Sequence, residues 1–124
     1  MKRSPLVLAA VAALMGAAGV ALAAAAVHAD GGELVERAAL FLLLHAVAGL
    51  GIAAHARIAG ASARRLLIVG FVMEAGAILF SGEIAMHVFT GVGTFAFAAP
   101  IGGTTMMIAW VALAVVFATA GREA

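Results

Sequence analysis

The stretch LVERAALFLLLHAVAGLGIAAHA, residues 34–56, decides the fold. After Glu36 and Arg37 it runs from Ala38 to Ala54 with His45 as its one polar side chain. An apolar run of that kind approaches the ~20 residues an α-helix needs to cross a hydrocarbon core of ~30 Å. Working outward, three more blocks of the same character fill the chain: Leu6 to Val27, Leu66 to Met86 and Pro100 to Ala120. Nearly every charge falls in the gaps between them. The pattern predicts helices over about 5–27, 34–56, 65–87 and 100–120 in a single domain, 1–124. The expected fold is all-α, a membrane-embedded up-down four-helix bundle.

Composition points the same way. Of the 124 residues, 66% are hydrophobic and 10% charged, against the ~25% charged residues usual in soluble domains. So short a chain has too little interior to hide that much apolar surface from water. A net charge of +1, with few and scattered cations, argues against a nucleic-acid surface, which needs clustered Lys and Arg. The chain has no cysteine, which excludes disulfides, thiolate metal sites and thiol nucleophiles.

Orientation follows from the cations. Lys2, Arg3, Arg57, Arg64, Arg65 and Arg122 all lie at block ends that an up-down bundle brings to one side, and only Arg37 belongs to the other. Cation-rich short loops mark the cytoplasmic face. The expected placement is the bacterial inner membrane with both termini inside and the segments around Asp30 and Thr90 outside. A competing reading of the first block is a secretory signal, because Lys2-Arg3, an alanine-rich run and Val27-His28-Ala29 precede Asp30. The run exceeds the ~7–15 apolar residues of such a signal, which favours a span.

Local punctuation suggests the ends. Ser4-Pro5 suits a cap followed by proline in the first turn, and Asp30-Gly31-Gly32-Glu33 has capping-box spacing. Ser62 is placed to cap the third helix, and Pro100 to begin the fourth. The segment His87 to Ala99 has glycines, threonines and phenylalanines but no formal charge, so it should lie at the interface or dip inward. Close helix contacts should rest on Ala12, Gly16, Gly19, Gly49, Gly70, Gly76, Gly102 and Gly103. Trp110 reads as a packing anchor, and the methionines as gap fillers.

The ionisable groups inside the spans carry the chemistry, since each is costly there and usually faces the interior with a partner. His45 and Glu74 lie near the midpoints of the second and third helices, which antiparallel packing puts at one depth. They are expected to bond, as a static pair or a proton relay. Arg37 and Glu83 also match in depth, near the outer surface. Nine residues separate Glu74 from Glu83, about half a revolution of helix, so Glu74 should face inward with Gly70 and Ser81. Glu83 should face sideways with Gly76 and His87, within reach of Arg37, His28 or another chain.

Other chemistries find weaker support. Glu83 and His87 share a helical face, and His28 is on their side of the membrane, so an outer-face zinc or copper site can be drawn from them. Only His28 and His87 match in depth among the four histidines, which gives a haem little to bind. No cofactor is expected. Gly91-x-Gly93 lacks the third glycine and flanking strand of a dinucleotide loop, and no Ser-His-Asp order comes with an oxyanion environment. The chain does not read as an enzyme.

Three segments carry a resemblance: Arg37 to Gly49 with His45, Leu79-Phe80-Ser81-Gly82 running to Thr90-Gly91, and Ala99-Pro100-Ile101-Gly102-Gly103 followed by Trp110. In this order, over about Val27 through Ala114, the chain resembles the YgdD-like family of small membrane proteins, related to transmembrane protein 256. His28 looks like that family's histidine closing the first span. The chain departs from the family in two places: leucines precede His45 where an aromatic and an amide are common, and Glu74 stands where an apolar or small residue is expected. The resemblance implies a four-span membrane protein of unassigned role. The resulting expectation is a structural or accessory protein of a membrane complex, with lipid, and a membrane-protein partner or second copy, as its surroundings. The alternative is a proton-coupled or small-solute carrier using His45 and Glu74.

Overall fold

A computed structural model of the chain describes residues 2–122. It contains four long helices, α1 (Ser4–Ala26), α2 (Gly32–Ala56), α3 (Ala63–Thr90) and α4 (Ala98–Ala120), with one 3-10 turn, Gly60–Ser62, before α3. There is no strand among the described residues. All four helices are long and apolar enough to cross a membrane.

Neighbouring helices run antiparallel, and glycine sets how closely they meet. Gly16 of α1 faces Ala46 of α2, and Gly49 of α2 faces both Ala12 and Glu74. Gly70 of α3 lies under Leu8 and Ile52. The tightest crossing joins α3 to α4: a β-carbon on Gly102 would stand 2.6 Å from the Phe80 backbone nitrogen and 2.7 Å from the Gly76 carbonyl oxygen. Those atoms are main chain and have nowhere to go. A layer built from Leu8, Ile52, Leu66, Met73, Ala109 and Leu113 draws side chains from all four helices near one end, and a second layer of Met15, Leu42, Ala46, Ala77 and Met106 lies nearer the middle.

This topology gathers Lys2, Arg3, Arg57, Arg64, Arg65 and Arg122 at one end and leaves Arg37 at the other. The outward faces at mid-helix are large and apolar, with Leu14, Val47, Met107 and Val111 each about two-thirds or more exposed.

Helix ends differ from the expectation in instructive ways. The first helix starts at Ser4 with Arg3 as its cap residue, and Val7 N–H reaches Arg3 C=O at 3.0 Å. Asp30 does not form a capping box. The cap position falls on Gly31, whose left-handed φ of 85° turns the chain, and no side chain caps α2. Gly32 is needed in the same turn, because a β-carbon there would collide with the Ala26 carbonyl. Ser62 does hold the cap position of α3, yet its hydroxyl accepts from Arg65 Nη2 at 3.2 Å and makes no cap bond. Its helical φ and ψ of −80° and −11° are not the extended conformation that aims a capping oxygen at the first turn.

The third helix runs to Thr90, beyond the apolar block, and Gly91 closes it with φ 74° and an N–H bond to the His87 carbonyl at 2.9 Å. That is the usual way a left-handed glycine satisfies a last-turn carbonyl. The fourth helix begins at Ala98, two residues before Pro100. Pro100 thus sits in the first turn, where a missing N–H costs nothing.

Candidate functional site

Among the described residues the buried polar side chains, apart from the cap residue Ser62, are His45, Glu74 and Ser81, and they lie where α2 and α3 face one another. Ser81 donates its hydroxyl to the Ala38 carbonyl at 2.8 Å. This ties α3 to α2 across the bundle. Phe80, one residue earlier, turns toward α4 and meets Phe41 edge to face at 5.0 Å.

His45 is 3% exposed, and both its ring nitrogens are occupied. Nδ1 lies 2.6 Å from the Phe41 carbonyl, one turn back on the same helix, and Nε2 is 3.1 Å from Trp110 Nε1. The indole can only donate. Nε2 is therefore the acceptor and Nδ1 carries the hydrogen, a single neutral tautomer fixed from both sides. Trp110 thereby links α4 to α2 while leaving nearly half its surface outward.

Glu74 is 1% exposed, and neither carboxyl oxygen has a hydrogen-bond partner. The expected His45–Glu74 bond does not form. The side chains start at similar depth, but each leans toward the N-terminus of its own helix, and those ends point in opposite directions in an antiparallel pair. Glu74 therefore swings one turn away and rests against Gly49, where any β-carbon would strike its Oε1. Ala12 closes the same pocket from α1. An unpaired buried carboxyl costs on the order of 1–3 kcal/mol relative to a satisfied one, so the contact with Gly49 is a tolerance of Glu74.

The outer group is dispersed. His28, Arg37 and His87 are exposed. Glu83 does face sideways, but it bonds to neither Arg37 nor His28. Its Oε2 accepts the Thr94 N–H at 2.7 Å and also the Thr94 hydroxyl. Gly93 lies against it, and a β-carbon there would push the Glu83 carboxylate aside. No group of three or more His, Cys, Asp or Glu side chains comes together among the described residues. The outer-face metal site drawn from His28, Glu83 and His87 is accordingly not assembled.

The remaining motif residues are packing elements. Gly102 makes the α3–α4 crossing, whereas a β-carbon on Gly103 would meet the Phe80 ring at an ordinary 3.7 Å. Gly82 has no neighbour within 4 Å in the direction of a side chain. With Ser81 it lines a cleft of about 700 Å³ between α1 and α3, floored by Leu42 and bounded by Val11, Met15, Ala18 and Ile78.

A signal for the Trp110–His45 bond was present in the sequence. Helices α2 and α4 run in the same direction, His45 lies 13 residues after Gly32 and Trp110 lies 12 after Ala98, so the chain's one indole donor and the mid-helix imidazole share a depth.

Four antiparallel helices, each long and apolar enough to cross a membrane, with His45, Glu74 and Ser81 turned inward, define a small all-helical protein with four candidate membrane spans. The chain belongs to a family of proteins of unknown function, DUF423, which it matches over residues 15–103. The match runs from the middle of α1 to the second turn of α4, and includes His45, Glu74, Ser81 and the Gly102 crossing. No solved structure matches the chain.

Proposed function

We propose that the protein is an integral membrane protein crossing the bacterial inner membrane four times with both termini cytoplasmic, and that it serves as a structural or accessory component of a membrane complex. The observation that carries this reading is the inversion of polarity. Ser81 and His45 turn inward and are satisfied within the bundle, while the outward surface carries side chains such as Leu14, Val47 and Val111. In lipid such a surface costs nothing, and helices are held by close packing and interhelical hydrogen bonds. Six cations at one end support the inward placement of that end.

Gly16 and Gly76 are used inside the chain, Gly16 packing on Ala46 and Gly76 on Gly102. A partner would instead meet the outward faces of α1 and α4. The likeness to the YgdD-like and transmembrane protein 256 family supports the same reading.

Lack of cysteine permits a clean topology test. Single cysteines replacing Ala61 and Ala29 should be labelled by a membrane-impermeant maleimide from the cytoplasmic and the outer side respectively. Labelling of both from one side, or extraction of the chain by alkaline carbonate, overturns the topology. Gentle detergent extraction of a tagged chain should retain a stoichiometric membrane-protein partner, and a protein recovered alone under native expression overturns the accessory role.

A second reading is favoured by the unpartnered carboxyl of Glu74: a proton-coupled carrier in which Glu74, without His45, binds the coupling ion. Liposome flux that is lost in Glu74→Gln is its expected result, and flux unchanged by that substitution removes it.

A further inference from the structure

We propose that the α3–α4 loop, residues 91–97, is a lipid-interface anchor, drawn back along α3 by Glu83 and seated at the boundary between acyl chains and headgroups. The inference rests on the membrane reading above and adds to it a specific surface with a specific occupant.

Length comes first. Helix α3 has 28 residues, about 42 Å at 1.5 Å per residue, which is more than a ~30 Å hydrocarbon core. Counted from Leu66, just past Arg64 and Arg65, the core ends near Ala85. Thr90 then stands about 6–8 Å beyond it. A loop continuing outward from Thr90 would lie in water. This one does not continue outward: Thr94 bonds through both N–H and hydroxyl to Glu83, which lies seven positions before Thr90, or about 10 Å down the helix axis. The chain therefore reverses at Gly91 (φ 74°) and descends to the depth of Glu83. Gly93 makes the descent possible, because any side chain there would displace the Glu83 carboxylate.

What the returned loop displays is apolar. Val92 and Phe97 are each 69% exposed and Phe95 is 50% exposed. No Asp, Glu, Lys or Arg occurs between Glu83 and Arg122. The α1–α2 loop at the same end exposes His28 and Asp30 instead. Exposed Val92, Phe95 and Phe97 on a charge-free segment at this depth gain by leaving water for the apolar side of the interface. The backbone of such a segment must be satisfied by protein, and the Thr94–Glu83 clasp supplies part of that. The Glu83 carboxylate is in turn capped by the loop it holds.

The test uses the cysteine-free full chain in vesicles of phosphatidylethanolamine and phosphatidylglycerol, with single nitroxide labels at Phe95, Phe97, His28, Leu14 and Val111. Labels at 95 and 97 should collide with oxygen in preference to a water-soluble nickel complex, at a depth between the mid-helix labels and His28. In Glu83→Gln or, separately, Gly93→Ala, nickel contact at both sites should rise several-fold while Leu14 and Val111 stay deep. Labels at 95 and 97 as nickel-accessible as His28, with Leu14 and Val111 deep, overturn the anchor and leave the membrane reading standing. A result in which both substitutions leave the loop labels unmoved overturns the clasp. Leu14 and Val111 reading as aqueous overturns the membrane reading itself.

Discussion

Substituting alanine at Gly102 and at Gly103 should give opposite results although the two residues are adjacent. At Gly102 the new β-carbon would lie 2.6 Å from the Phe80 nitrogen and 2.7 Å from the Gly76 oxygen. Ordinary contact distances are ~3.5 Å, so α3 and α4 must separate by roughly 1 Å. Overpacking of this kind costs ~1–3 kcal/mol. At Gly103 the nearest atoms belong to the Phe80 ring at 3.7 and 3.9 Å, and the methyl fills space without displacement. Both substitutions gain the same helix propensity, about 1 kcal/mol, which cancels in the comparison. The difference between the two variants therefore isolates the crossing, and is expected to be about 1–3 kcal/mol in favour of Gly103→Ala. Reversible unfolding in detergent micelles, followed by the fluorescence of Trp110, measures it directly. A Gly102→Ala protein as stable as Gly103→Ala would refute the claim that backbone contact fixes the α3–α4 distance.

Other perturbations follow the buried polar groups. Glu74→Met should leave the bundle as stable as the parent or more so by ~1–3 kcal/mol, because it removes a carboxyl that nothing satisfies; a large loss in the same unfolding assay contradicts the unpartnered placement. Gly49→Ala should destabilise the protein, and by ~0.5–3 kcal/mol less in a Glu74→Ala background, since the two share one space; strict additivity contradicts that contact. Trp110→Phe orphans His45 Nε2 and should cost about 1–3 kcal/mol, with a shift in the His45 ring nitrogen resonances. Ser81→Ala should cost only ~0.6 kcal/mol, the typical worth of an interhelical hydrogen bond in a membrane protein.

Much of the architecture was legible because apolar block length and charge placement report directly on helix number and on which ends lie together. Small residues at 12, 16, 49, 70, 76 and 102 were also legible as contact points, and each does pack against a neighbouring helix. What escaped was direction within a helix. Depth matching put His45 beside Glu74, but depth is a property of backbone position, and the lean of the side chains separates them. The capping roles given to Asp30 and Ser62 failed for a related reason. A cap depends on the φ and ψ of one residue, and Gly31 and the 3-10 turn at Gly60–Ser62 changed those angles locally. The Glu83–Thr94 bond lay beyond a spacing argument, because its partner sits in a loop whose path only Gly91 and Gly93 determine.

The notch at Gly49 also has a consequence for biogenesis. On the membrane reading proposed above, segment α3 brings Glu74 toward the bilayer before its shelter is certain, and an acidic side chain at the centre of a lone span costs roughly 2.5–3.5 kcal/mol on insertion scales. Shelter comes from α1 and α2, which are made earlier and meet at Ala12 and Gly49. On that reading the first two segments would serve as a paired template for the third. A nascent chain whose second segment is replaced by unbroken polyleucine should leave the third one stranded outside the bilayer.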